Sequence, residues 1–93
     1  DWGYPGGADR LLGLEDYVCR YLDACVEHLR RTLARPALPL LGICQGGTLS
    51  LCYAALEPGK VEKLITTVTP VDFHTADDML SHLVRGVDVA RLV

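Results

Sequence analysis

Gly42-Ile43-Cys44-Gln45-Gly46 sets a thiol between two glycines in the pattern Gly-x-nucleophile-x-Gly. That pattern places a nucleophile on a sharp, strained turn between a strand and a helix. The expectation is that Gly42 and Gly46 flank Cys44 because a side chain at either place would collide with the neighbouring strand or helix. The same turn would aim the backbone N–H of Gln45 at a developing oxyanion. The bare pattern is weak: the chain's 9 Gly and 4 Cys allow roughly 0.04 chance matches. A small, buried structural cysteine is the alternative reading of Cys44.

A thiol attacks as thiolate, and the free N–H groups that open a helix supply positive potential for that anion. A His partner would complete the activation. His28, His74 and His82 are the candidates. His28 falls on the flank of a helix and reads as a surface residue. His74 follows Thr69-Pro70-Val71-Asp72-Phe73, at the C-terminal end of a strand, where open α/β sheets bind ligands. Cys44, Asp72, then His74 or His82 follows the order nucleophile, acid, base. Against that, Asp72 and His74 lie only two apart, and a triad base normally arrives after a later strand. Asp72 reads better as a residue that caps or turns the chain leaving the sheet. Trp2 reads as loop packing on the same face as the elbow, and Asp9 with Arg10 as a surface pair.

These residues need elements to hold them. Leu38 to Ile43 is a short apolar run of strand length, and Pro39, which would disrupt a strand interior, is tolerated as the first residue. Thr48, Leu49, Leu51, Cys52, Ala55 and Leu56 carry a helical rhythm that stops at Glu57-Pro58-Gly59. Strand, elbow, helix is the required order, and it spans residues 38–57. Upstream, Leu14 to Leu33 predicts one long helix with an apolar face through Tyr17, Val18, Tyr21, Leu22, Cys25, Val26 and Leu29. Glu15 and Asp16 near its start and Arg30 and Arg31 near its end suit the helix dipole. Downstream, β-branched Val61 to Thr69 predicts a second strand. Helix, strand, helix, strand is the alternation of a parallel α/β sheet. Met79, Leu80, Leu83 and Val84 suggest a further amphipathic helix, broken at Gly86.

Composition narrows the classes. A net charge of −3 lacks the basic footprint of a nucleic-acid binder. No apolar run approaches the ~20 residues a spanning helix needs. Cys19, Cys25, Cys44 and Cys52 form no C-x-x-C pair, which argues against a zinc ribbon or a thioredoxin-type motif. Cys25 and Cys52 read as core filler, and Cys19 as a polar-face residue. A reactive thiol suits a reducing compartment, so a cytoplasmic location is expected. Ninety-three residues, 49% of them hydrophobic, read as a piece of a larger domain that would expose much apolar surface alone.

Four stretches in order carry a resemblance: Asp1-Trp2-Gly3-Tyr4-Pro5-Gly6, Ala8-Asp9-Arg10, Leu40 to Gly47, and Val68-Thr69-Pro70-Val71-Asp72-Phe73. Together they resemble polyhydroxyalkanoate synthases, most closely the catalytic subunit of the class III enzymes. The resemblance covers most of residues 1–74. It implies an α/β-hydrolase fold, with residues 1–93 forming part of the catalytic domain and residues 74–93 starting a cap over the active site. It also implies a Cys-His-Asp triad whose nucleophile is Cys44, with the acid and the His downstream of Val93 and a second oxyanion donor upstream of Asp1. His74 stands where close relatives carry Gln, which speaks against it as the base. The implied reaction is polymerisation of 3-hydroxyacyl-CoA into polyester with release of CoA, through an acyl-Cys44 thioester, without metal or organic cofactor. A second synthase subunit, homo-oligomerisation and polyester granules are the implied partners and setting. Two rivals stand beside it: a thiol hydrolase of the dienelactone hydrolase type, and an inert α/β module without turnover.

Overall fold

The computed structural model describes residues 1–72 and 83–91. Phe73, His74, Met79, Leu80 and His82, and with them most of the expected cap segment, lie outside the described residues. Residues 83–85 form a helical turn closed by the Gly86 N–H donating to the Leu83 carbonyl at 3.1 Å. A 3-10 turn follows at Val89–Arg91.

The long helix begins at residue 14, as its sequence pattern requires, but it is not uniform. Asp16–Leu22 is wound as a π-helix and continues directly into the α-helix Asp23–Leu33, here α1. Positions in strict steps of four drift by about 40° per step in an α-helix, and the wider π turn drifts in the opposite sense. The combination keeps Val18, Leu22 and Val26 in one line. Val18 and Val26 are buried and Leu22 packs against them. Cys25 lies off that line and is exposed, so it is not core filler. Leu14 and Leu29 are exposed as well. Ala34 ends the helix in the left-handed conformation at φ 52°. The Arg35 N–H then reaches back to the Arg30 carbonyl at 3.0 Å, the outer bond of a Schellman motif.

Strand β1, Leu38–Ile43, pairs in parallel with β2, Val61–Thr67. Leu41 stands opposite Ile65 and Ile43 opposite Thr67. Pro39 is the second residue of β1 rather than its first. The register shifts between Leu38 and Pro39, an irregularity that accommodates the missing N–H. Between the strands runs helix α2, Gln45–Leu56, three residues longer at its start than its apolar rhythm suggests. Gly47, Ser50 and Tyr53 are its buried positions: two small residues that admit close approach near the thiol turn, then a large ring that fills the core. Leu56 is exposed. β2 stops at Thr67, two residues short of the sequence expectation, because Val68 turns to φ 48°.

The core is Val18, Val26, Leu38 and Tyr53, with Leu40, Leu49, Cys52 and Val61 packed against it. Cys52 is thus the one cysteine that behaves as filler. A polar cluster closes one side. The Tyr53 hydroxyl donates to Asp23 Oδ1 at 2.7 Å, and Lys60 Nζ reaches the same oxygen at 2.8 Å and Glu27 Oε1 at 3.0 Å. Arg30 pairs with Glu27 on the outer side. The opposite sheet face, with Leu41, Ile43 and Ile65, is exposed. Among the described residues no helix is long and apolar enough to cross a membrane.

Candidate active site

Cys44 occupies the single residue between β1 and α2, with φ 55° and ψ −122°. A side chain in that region strains the backbone by about 1–3 kcal/mol, and such strain persists only where the surroundings over-determine it. Here both ends are held. The Cys44 N–H donates to the Thr67 carbonyl at 2.9 Å, which extends the parallel ladder by one rung. Its carbonyl accepts from Gly47 N–H at 3.0 Å and Thr48 N–H at 3.3 Å, which opens the helix. The thiol is exposed. Gln45 is the first residue of α2, and its N–H and that of Gly46 come before the first helical bonds, which Gly47 and Thr48 make. Cys44 therefore sits beside a preformed set of donors.

The glycines divide differently from the sequence expectation. A Cβ on Gly42 would stand 2.5 Å from Gly47 Cα and 2.7 Å from the Gly46 carbonyl oxygen. No side chain fits there. A Cβ on Gly46 meets nothing within 4 Å, so its expected collision is absent among the described residues: it lies on the open side of the turn. The crowded position is Gly47, where a Cβ would fall 1.9 Å from Thr69 Oγ1. Thr69 fills the space that the missing side chain leaves. Its hydroxyl donates to the Thr67 carbonyl at 3.1 Å, and the Thr48 hydroxyl donates to the Pro70 carbonyl at 2.7 Å. The segment leaving β2 is thereby clasped to the first turn of α2. Sequence reading missed this clasp, although the doubled Gly46-Gly47 and the adjacent Thr69-Pro70 were its visible signs.

The other candidates separate. His28 is exposed on α1 and borders a shallow groove with Ala24, Cys25 and Leu29, with no residue of the elbow in it. Asp72 is exposed, two residues beyond Pro70. His74 and His82 lie outside the described residues. Asp9 is not paired to Arg10: its Oδ2 accepts the Gly6 N–H at 2.7 Å and closes the 3-10 turn Gly7–Asp9. Among the described residues no group of three His, Cys, Asp or Glu side chains gathers as a metal site would require.

Trp2 is more than loop packing. Its ring lies 5.2 Å from that of Tyr17 and 6.3 Å from that of Tyr21, and the two tyrosines meet edge to face at 5.7 Å. These rings, with Gln45 and Leu49, line a cavity of about 450 Å³. The N-terminal loop thus shares a hollow with the residue that follows the thiol.

Residues 1–88 match the family model for the alpha/beta hydrolase fold. Over 89 residues the chain is 55% identical to the poly(3-hydroxyalkanoate) polymerase subunit PhaC of Allochromatium vinosum, covering 96% of this chain and 25% of that protein. The same subunit of Thiocystis violacea is 52% identical over 89 residues, with the same coverage of each chain. That of Synechocystis sp. is 49% identical over 81 residues, 87% of this chain and 21% of that protein. No solved structure matches the chain. The chain spans about a quarter of the length of the Allochromatium and Thiocystis relatives. With a parallel strand pair, a strained thiol turn and a family match along nearly its whole length, it belongs to the alpha/beta hydrolase fold family, and within that fold it resembles the poly(3-hydroxyalkanoate) polymerase subunit PhaC.

Proposed function

We propose that this chain is the nucleophile-bearing part of a poly(3-hydroxyalkanoate) polymerase, with Cys44 as the acyl carrier. The observation that carries the reading is the exposed thiol on a turn at φ 55° and ψ −122°, directly ahead of a helix N-terminus that has no side-chain cap. The names of the relatives supply the product class, a polymer of 3-hydroxyalkanoates, and so point to activated 3-hydroxyacyl units as substrate.

The chemistry follows from the residue type. Cys44 Sγ attacks the carbonyl carbon of a 3-hydroxyacyl-CoA, and the carbonyl oxygen becomes an oxyanion that the Gln45 N–H is placed to stabilise. The C–S bond to CoA breaks, and CoA leaves as a thiol after taking up the proton. One thioester has replaced another, so the step is close to neutral in energy. The acyl group on Cys44 remains activated. The 3-hydroxyl of another unit then attacks it, an ester bond forms, the Cys44 C–S bond breaks and the thiol is regenerated. A His outside residues 1–93 serves as base, oriented by an acid also outside them. Water has to be kept from the intermediate, or the same thioester is hydrolysed. No step calls for a metal or an organic cofactor.

Product identity tests the reading. A full-length protein carrying this chain, given 3-hydroxybutyryl-CoA, is expected to release CoA and form insoluble polyester. Stoichiometric free 3-hydroxybutyrate would contradict the proposal and favour a thiol hydrolase of the dienelactone hydrolase type. CoA release that persists in Cys44→Ala would remove the thiol from the mechanism.

A further inference from the structure

The hollow beside Gln45 has a composition that selects its occupant. The packed rings of Trp2, Tyr17 and Tyr21 line it together with Leu12 and Leu49, and so does Gln45, the residue that follows the thiol. Its volume of about 450 Å³ falls within the range of small-molecule sites. Among the described residues no Lys or Arg lines the cavity, whereas Asp9 does. The Arg20 guanidinium, 5.6 Å from the Tyr21 ring centroid, is paired with Asp16 and does not line the cavity. A polyphosphate would find no cation here and one carboxylate. The CoA half of a substrate is thereby disfavoured, and a neutral chain of apolar and ester groups fits.

We propose that this aromatic cavity is the binding site for the polyester chain that Cys44 carries, the first units of the acyl chain lying against Trp2, Tyr17 and Tyr21 while CoA enters from another side. This rests on the polymerase reading and adds to it a place for the growing product. Aromatic faces cover aliphatic chain with little loss of side-chain freedom, and tyrosine hydroxyls offer donors to ester carbonyls. Gln45 supplies the connection, because a residue of the cavity lining is the one next to the thiol. A chain attached to Cys44 has the hollow within reach of its first units.

The test uses a full-length Cys44→Ala protein, which cannot turn over, and the methyl ester of a linear 3-hydroxybutyrate trimer as probe. The trimer is expected to bind, and to change tryptophan emission in a way that Trp2→Phe removes. Trp2→Ala and Tyr21→Ala are each expected to weaken trimer binding at least tenfold, with His28→Ala as the unaffected control. CoA alone is expected not to compete. Should either alanine variant lose its native melting transition, Leu49→Phe decides, since it fills the cavity instead of emptying it: weaker trimer binding supports the site, and unchanged binding overturns it. Absence of trimer binding, binding indifferent to Trp2 and Tyr21, or displacement by CoA would also overturn it. Acylation of Cys44 in the wild-type protein is read separately, so failure of the cavity and failure of the polymerase reading are distinguishable.

Discussion

Cys44 owes its geometry to residues that do no chemistry. Its strained backbone survives because Gly42 lets the turn fold against Gly47 and because Thr69 occupies the room beside Gly47. That arrangement ranks the glycines. Gly42→Ala sets a Cβ 2.5 Å from backbone atoms, which cannot yield as a flexible side chain can, and a loss of about 1–3 kcal/mol is expected. Gly47→Ala meets the Thr69 side chain instead, and Thr69→Ala in the same protein is expected to recover part of the loss. Gly46→Ala has open space and helical backbone, so its melting temperature is expected to stay near wild type. Thermal melting of the four variants checks the order. Equal damage at Gly46 and Gly42 would refute it. The sequence pattern named both flanking glycines alike, because a Gly-x-Cys-x-Gly spacing records which positions are small and not which are crowded. Only the packing of the segment after β2 distinguishes them.

At the scale of elements, one polar cluster ties α1 to α2 and to the turn before β2. Hydrogen bonds from Lys60 and Tyr53 hold the Asp23 carboxyl below its ordinary range, and the same carboxylates hold the Lys60 ammonium above its own. Burial, with the Asp23 hydrogen bond second, pushes the Tyr53 hydroxyl above its ordinary range, so it stays protonated. The signs fix the pH window. Asp23 binds fewer protons folded than unfolded, so its contribution is present above ~pH 4 and is lost as pH falls through its depressed folded value. Lys60 contributes fully below its ordinary pKa, and that contribution is lost as pH rises past it. Melting temperature against pH is therefore expected to show an acid limb that becomes shallower in Asp23→Asn, Glu27 still titrating. An unchanged acid limb in that variant would contradict the assignment. Tyr53→Phe, which removes one hydrogen bond to a carboxylate while Lys60 remains, is expected to cost about 1.5–3 kcal/mol. The elements themselves were largely legible: strand, elbow, helix and strand follow from apolar runs, β-branched density and breaker residues. The π segment at Asp16–Leu22 and the left-handed Val68 were not. Neither has a local signature, since a π turn differs from an α turn only in how far it winds, and a valine is the last residue expected at positive φ. The exposed Cys25 follows from the same narrowing of the inward line to Val18, Leu22 and Val26.

For the whole molecule, the accessible surface of 7385 Å² exceeds the ~5300 Å² of a compact chain of this mass. Leu41, Ile43 and Ile65 on the open sheet face account for part of that excess. Under the polymerase proposal, the thiol turn, the donors of α2 and the aromatic hollow are one portion of a larger catalytic unit of this fold. Site-mapped acylation tests the central claim most directly. A full-length protein carrying this chain is mixed with butyryl-CoA, which lacks the 3-hydroxyl needed for chain extension, then digested and analysed by peptide mass. The expected result is one butyryl adduct per chain, on the peptide containing Cys44, with none on Cys19, Cys25 or Cys52 and no adduct in Cys44→Ala. An adduct on another residue, or rapid CoA release with Cys44 never acylated, would contradict the account.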